Sequence, residues 1–176
     1  MNLQIARSSN QSLLIDLVDN LSLIAKDQLA IFTKPEMIAG NVSVGKQVRH
    51  ILDFYTVLIE GLDNNVIDYD KRERDLDIEE NISIAIDKAL LIHQQLQQIT
   101  DESQQSVIVS LSTDVNIAYM QGKSTLLREL QFIHSHTTHH MAIISIMLRL
   151  NQMDPGINFG KAPSTIAYEE QLVITH

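Results

Sequence analysis

An all-α four-helix bundle with a small β-hairpin before its last helix is the fold that this sequence predicts. Three observations lead there. Four long segments repeat apolar residues every three to four positions, the spacing of one helical face. Breaks rich in glycine, proline or asparagine separate them. Just ahead of the last segment the pattern changes to alternation, the period of a strand.

The first helix is expected from about Ser9 to Phe32, with Leu14, Leu17, Val18, Leu21, Ile24 and Ala25 on one stripe. Pro35 and Gly40 then break the chain. A second helix is expected from about Asn41 to Leu62, burying Val44, Val48, Ile51, Leu52, Tyr55, Leu58 and Ile59, and GLDNN (61–65) ends it. The charge run DYDKRERDLD (68–77) reads as a solvated loop and helix start. A third helix follows over about Asp77 to Ile99, with Ile78, Ile82, Ala85, Ile86, Ala89 and Leu96 in register. TDESQQS (100–106) is a polar break.

SVIVSLS and DVNIAYM alternate around Thr113 and Asp114, which predicts the hairpin. Ser124 is the expected N-cap of the fourth helix, which runs to about Asn151 before Pro155 and Gly156. The tail NFGKAPSTIAYEEQLVITH has no clear period and is expected to wrap the bundle. Without repeats or low-complexity stretches, residues 1–176 are expected to form one domain.

Thirteen basic against twenty-two acidic residues give a formal charge of −9. With no basic stripe to displace counterions, nucleic acid is a poor partner, and an anionic membrane surface is equally disfavoured. The chain has no cysteine, which excludes disulfides, thiolate metal sites and a cysteine nucleophile. Asp16 and Asp19 interrupt the N-terminal apolar run, unlike a signal peptide. The run MAIISIMLRL (141–150) is about half the length a bilayer span needs. A soluble, cytoplasmic protein is expected.

Four of the seven histidines fall in FIHSHTTHH (132–140): His134, His136, His139 and His140. His136 and His140 are four apart, in line with Leu126, Ile133, Ile143 and Met147, so both point inward from the apolar stripe. Two imidazoles so spaced reach one metal ion from a single helix. The alternative, two core histidines satisfied by hydrogen bonds, stands beside it. No Glu follows His136, so the H-E-x-x-H metalloprotease signature is absent.

His134 shares its face with Gln131, Thr138 and Ser145 and is expected to be exposed. His139 aligns with Phe132, Ile146 and Leu150, a second packing surface or subunit contact. Glu129, two turns before His136 on the same stripe, either orients a ligand or binds metal, or is the commoner helix-start carboxylate stabilised by the dipole. A metal needs a third ligand, and His50 and His93 are the candidates. Periodicity favours His93, on the stripe of Ile82, Ile86 and Ala89, over His50, which lies beside Phe54 and Val57 near Arg49 and Asp53.

The stretches VGKQVRHILDFY (44–55), DYDKRERD (68–75), STLLRELQFIHSHTTHHMAII (124–144) and FGKAPST (159–165) together resemble the DinB-like, YfiT-type family of bacterial four-helix proteins. The resemblance implies an up-down-down-up bundle. It also implies a divalent metal, zinc or nickel, held by a histidine early in the second helix and an H-x-x-x-H pair on the last. Carried over by position, those ligands are His50, His136 and His140. Beside this set, the pair 136 and 139 also fits an i, i+3 geometry.

Relatives of that family include thiol S-transferases and isomerases that use low-molecular-weight thiols, and others labelled hydrolases. The resemblance therefore implies a metal-dependent enzyme acting on a small molecule, with an open coordination position at which bound water or thiol is activated. Asp53 and Glu129 are the candidates for a general base. A non-catalytic metal-binding or ligand-binding bundle is the alternative, and a bundle with merely buried histidines a third. Related bundles pair, so a homodimer is expected.

Overall fold

A computed structural model of the chain describes residues 1–99, 106–117 and 120–174, with the side chains of residues 173 and 174 left aside. Helix α1 (Asn2–Asp27) buries Leu14, Leu17, Leu21 and Ile24 as the stripe requires, and also the polar Asn10. The chain then passes through a short α2 (Ala30–Thr33) and a 3-10 turn (Met37–Ala39), so Phe32 belongs to a separate turn rather than to the first helix.

Helix α3 (Val44–Gly61) starts where the Ser43 hydroxyl accepts the Lys46 N–H at 3.1 Å. Its last residue is glycine for a steric reason. A Cβ at Gly61 would stand 2.6 Å from the carbonyl oxygen of Val66, so the next segment can lie against the helix end only without a side chain.

That next segment departs from the sequence reading. Residues Val66–Asp68 form strand β1, parallel to β2 (Ser106–Ser110), which in turn pairs antiparallel with β3 (Gln121–Thr125). The expected hairpin is thus two strands of a three-stranded sheet ordered β1-β2-β3. Its returning strand lies later than DVNIAYM, because Asp114 closes a turn instead: its carboxylate accepts the Asn116 N–H at 2.8 Å and its carbonyl that of Ile117 at 3.2 Å. Ala118 and Tyr119, and residues 100–105 of the expected polar break, lie outside the described residues.

The expected third helix is two: α4 (Leu76–Glu80) and α5 (Ile82–Gln98). Asn81 leaves the helical conformation between them, and its side-chain oxygen accepts the N–H of Ser83 at 3.0 Å and Ile84 at 3.4 Å, capping α5. Helix α6 (Leu126–Leu150) is capped by Thr125 rather than Ser124, through an Arg128 N–H bond of 3.3 Å. The tail wraps only in part. Phe159 is buried, and Gly160 (φ 78°) rests so closely on α6 that a Cβ would come 2.4 Å from the Ala142 nitrogen. Beyond it, α7 (Pro163–Ile174) stays largely exposed. Its Ile166 is followed at helical spacing by Glu169 and Glu170, which give it no stripe to bury.

The chain is therefore mostly helical with one small sheet. Helix α1 packs on α5 and α6, and α3 packs on the same two. No helix among the described residues is long and apolar enough to cross a membrane. A polar chain sits inside the apolar core. Asn10 Nδ2 donates to the carbonyls of Ala6 (2.8 Å) and Leu130 (3.0 Å), the Tyr55 hydroxyl donates to Asn10 Oδ1 (2.7 Å), and the Thr137 hydroxyl donates to Tyr55 (3.3 Å). It ties α1, α3 and α6 together, and burial pushes the Tyr55 hydroxyl above its usual range.

Candidate metal centre

His50 lies in the second turn of α3, and His136 and His140 share one face of α6. The packing of α3 on α6 brings the three rings together, with one nitrogen of each lying within 4.8 Å of the others. The Nε2 atoms of His50 and His136 are 3.1 Å apart. Ring centroids are 4.4 Å apart for His50 and His140, and 4.5 Å for His136 and His140. All three rings are half-buried.

Burial is the main reason that all three pKa values fall below the ordinary 6.5. His50 is lowered to about 4 by burial and then by the charges of Arg72, His136 and Arg49. His136 is also lowered to about 4, by burial, His139 and Arg72. His140 is lowered to about 3, by burial and by its neighbours His50, His136, His139 and Arg72. Near neutral pH the cluster thus consists of three uncharged imidazoles with lone pairs to offer. Two nitrogens, each about 2.0 Å from a tetrahedral ion, stand about 3.3 Å apart. The donor set and its spacing therefore fit one divalent ion.

Hydrogen bonds orient the rings. His140 Nδ1 donates to Gln47 Oε1 at 2.6 Å, which leaves the Nε2 lone pair free. His50 Nδ1 instead accepts from Arg72 Nη1 at 2.8 Å. Phe54 stacks on His136 at 4.0 Å between centroids and on Tyr69 at 5.0 Å, and the Arg72 guanidinium carbon lies 4.8 Å from the Phe54 centroid. Phe132 lies beside them, its ring 5.8 Å from that of His136 and 6.1 Å from that of Phe54.

Several expectations change here. His93, which periodicity preferred, lies on α5 outside the cluster, where its carbonyl accepts from Gln11 Nε2 at 3.2 Å. His134 and His139 exchange roles. His134 is half-buried against α1, lining a cavity of about 370 Å³ with Ile5, Asn10 and Leu130, and burial lowers its pKa. His139 is exposed, its ring 5.2 Å from that of His140. The cause is the packing of α1 on α6, which covers the face that the sequence assigns to solvent.

Neither carboxylate candidate joins the group. Glu129 is buried and accepts from the hydroxyls of Tyr69 (3.0 Å) and Ser124, so it anchors the start of α6. Asp53 is buried toward a small cavity of about 40 Å³ shared with Lys71, Glu73 and Lys88. Burial raises its pKa, while Arg49, Arg72 and Arg74 pull it down. Nor is DYDKRERD a solvated loop throughout. Tyr69 is in the core, and Arg72 reaches the histidines. Gln47 and Arg72 are the neighbours that sequence reasoning missed, whereas Phe54 was already expected beside His50. For Gln47 a signal existed, since it lies one turn before His50 on α3.

A pH dependence follows for the metal-free protein. The three folded-state pKa values lie below the unfolded 6.5, so the unfolded chain takes up protons first as the pH falls. The stability that the neutral rings contribute is complete above about pH 6.5 and is lost progressively toward pH 4. Melting temperatures of chelator-treated protein should fall across that window more steeply in wild type than in His140→Gln. Parallel slopes would refute the burial argument.

The model of the DinB family matches residues 9–156. No curated protein and no solved structure matches the chain. The match runs from within α1 to just past the end of α6 and includes all three converging histidines, and the chain belongs to the DinB family.

Proposed function

We propose that this protein is a divalent-metal-dependent enzyme in which His50, His136 and His140 are the ligands and zinc or nickel the ion. The observation that carries the reading is the convergence of three uncharged, half-open imidazoles from two helices. Three nitrogen ligands leave a coordination position for water or substrate, as in catalytic zinc sites. A bound divalent ion supplies a lowered pKa to the water or thiol placed there. Gln47 holds His140 with Nε2 toward the ion, and Phe54 and Phe132 wall the site and limit water around it.

The substrate class is a small molecule, either a low-molecular-weight thiol in S-transfer or a hydrolysable ester or amide. The surrounding architecture is proposed as one domain over 1–176, with α1, α3, α5 and α6 as an up-down-down-up four-helix bundle. The charge of −9 supports a cytoplasmic role without nucleic acid or membrane. Exposed Ile146 (55%) and Leu150 (52%) on the His139 side of α6 support a homodimer.

The test is to purify the chain without a nickel column, measure its metal content, and assay turnover on thiol–electrophile pairs and on ester and amide panels. Stoichiometric metal with turnover on one panel is expected. Metal without turnover would make the protein a non-catalytic binding bundle, and a chain that takes up no divalent ion would end the metal reading.

A further inference from the structure

Arg72 approaches the centre from the segment between β1 and α4 and is half-buried there. Its Nη1 donates to His50 Nδ1 at 2.8 Å, while its Nε is buried without a hydrogen-bond partner. Among the described residues no carboxylate comes within ion-pair distance of its guanidinium. Arg49 is the contrast: its Nε is also unpartnered, but its charge is paired with Glu79 at 3.2 Å and it donates to the Arg74 carbonyl at 3.1 Å. Asp53 and Asp70 act on Arg72 through space without accepting its hydrogen bonds, and Asp70 is engaged by the Ser112 N–H at 2.7 Å. A half-buried guanidinium whose buried Nε has no partner, and whose hydrogen bond among the described residues goes to a neutral imidazole, is short of an anion.

We propose that Arg72 binds a carboxylate on the small molecule that occupies the centre, and that it is released for this role when His50 turns Nε2 to a metal ion. The inference rests on the metal reading above. In the arrangement described, Arg72 donates to Nδ1, so the neutral His50 ring carries its proton on Nε2, the atom facing His136. A ring that ligates through Nε2 carries its proton on Nδ1 instead and becomes a donor there. It can no longer accept from Arg72. The guanidinium keeps its charge, faces a second donor, and is left with open valences on the half-exposed side of the cluster.

A carboxylate answers that need in geometry and charge. Its two oxygens match the planar guanidinium fork, and its single negative charge balances a single unpaired cation. The segment that carries Arg72 is fixed for the purpose. The Tyr69 N–H bonds the Ser110 carbonyl at 2.9 Å, the Tyr69 hydroxyl bonds Glu129, and Phe54 supports the guanidinium. Metal and carboxylate are therefore coupled: each favours the state of Arg72 and His50 that the other needs.

Zinc titration calorimetry on the full chain, with and without acetate as probe, tests the coupling in wild type and in Arg72→Gln. Acetate is expected to tighten zinc binding about tenfold in wild type and less than about twofold in Arg72→Gln. In parallel, nitrogen-15 spectra of the arginine side chains should show acetate shifting the Arg72 Nε–H in the zinc-loaded protein. Equal tightening in both proteins, which would mean acetate on the ion alone, overturns the proposal. So does an Arg72 signal that ignores acetate. If neither protein binds zinc or, in the same titration, nickel, the metal reading fails by itself. Arg72 is then judged on the metal-free protein, where a shift with acetate supports the anion site and no shift ends it.

Discussion

His136→Ala is expected to weaken zinc binding by at least about 100-fold, since loss of a mere outer-shell partner of a ligand costs about 10–100-fold. Its Nε2 stands 3.1 Å from that of His50, and no other imidazole of α6 can replace it there. His139, one turn on, is exposed, with its ring against the outer edge of His140. His139→Ala should therefore retain zinc within about threefold, which separates the two arrangements that helical spacing alone permits. Folding is not the confounder. The alanine removes stacking contacts with Phe54 and Phe132, each worth about 0.5–1.5 kcal/mol. Calorimetry with chelator-stripped protein would decide, and a His136→Ala chain with wild-type affinity would remove that residue from the centre.

Asn10→Ala should be the most destabilising of the polar substitutions, by about 3–5 kcal/mol. The side chain is wholly buried and serves three partners: the Ala6 and Leu130 carbonyls and the Tyr55 hydroxyl. Truncation leaves Tyr55 Oη and the Leu130 carbonyl without their asparagine partner. Each unsatisfied group costs about 1–3 kcal/mol, and the lost packing adds to that. Tyr55→Phe removes only the hydroxyl in the middle of the chain and should cost about 1–2 kcal/mol. Urea denaturation reads both as shifts in midpoint at constant slope. If Tyr55→Phe proved the costlier change, the network would owe its stability to the tyrosine rather than to the asparagine that joins two helices.

The long helices were legible because their apolar stripes are long and regular. Leu14, Leu17, Leu21 and Ile24 announce α1, and Val48, Ile51, Leu52, Tyr55 and Leu58 announce α3. What the pattern could not carry was anything decided by a partner far along the chain. β1 has three residues and exists because β2 runs beside it, and Asn81 splits a helix that periodicity runs through. Asn10 looks like an ordinary polar residue until α6 is placed over it.

At the centre, spacing paired His136 with His140, while only the resemblance pointed to His50 over His93, since His50 sits off the main stripe of α3. The structure shows why that is no objection. His50 faces α6 from the edge of the core, half-open, whereas a stripe residue would be sealed inside it. Arg72 was hidden in a charge run, where composition cannot tell a solvated arginine from one drawn onto an imidazole.

The two histidines that face each other, His50 and His136, are separated by 86 positions in the chain, and Gln47 and His140 by 93. During synthesis the early half of the cluster leaves the ribosome long before the last helix exists to complete it. A nascent chain can therefore offer an ion only isolated imidazoles, and the tight capture proposed above would wait for α6 to dock on α3. An ion so held would close on a finished chain, and its rate of escape in a chelator chase would be a clock for the parting of those two helices.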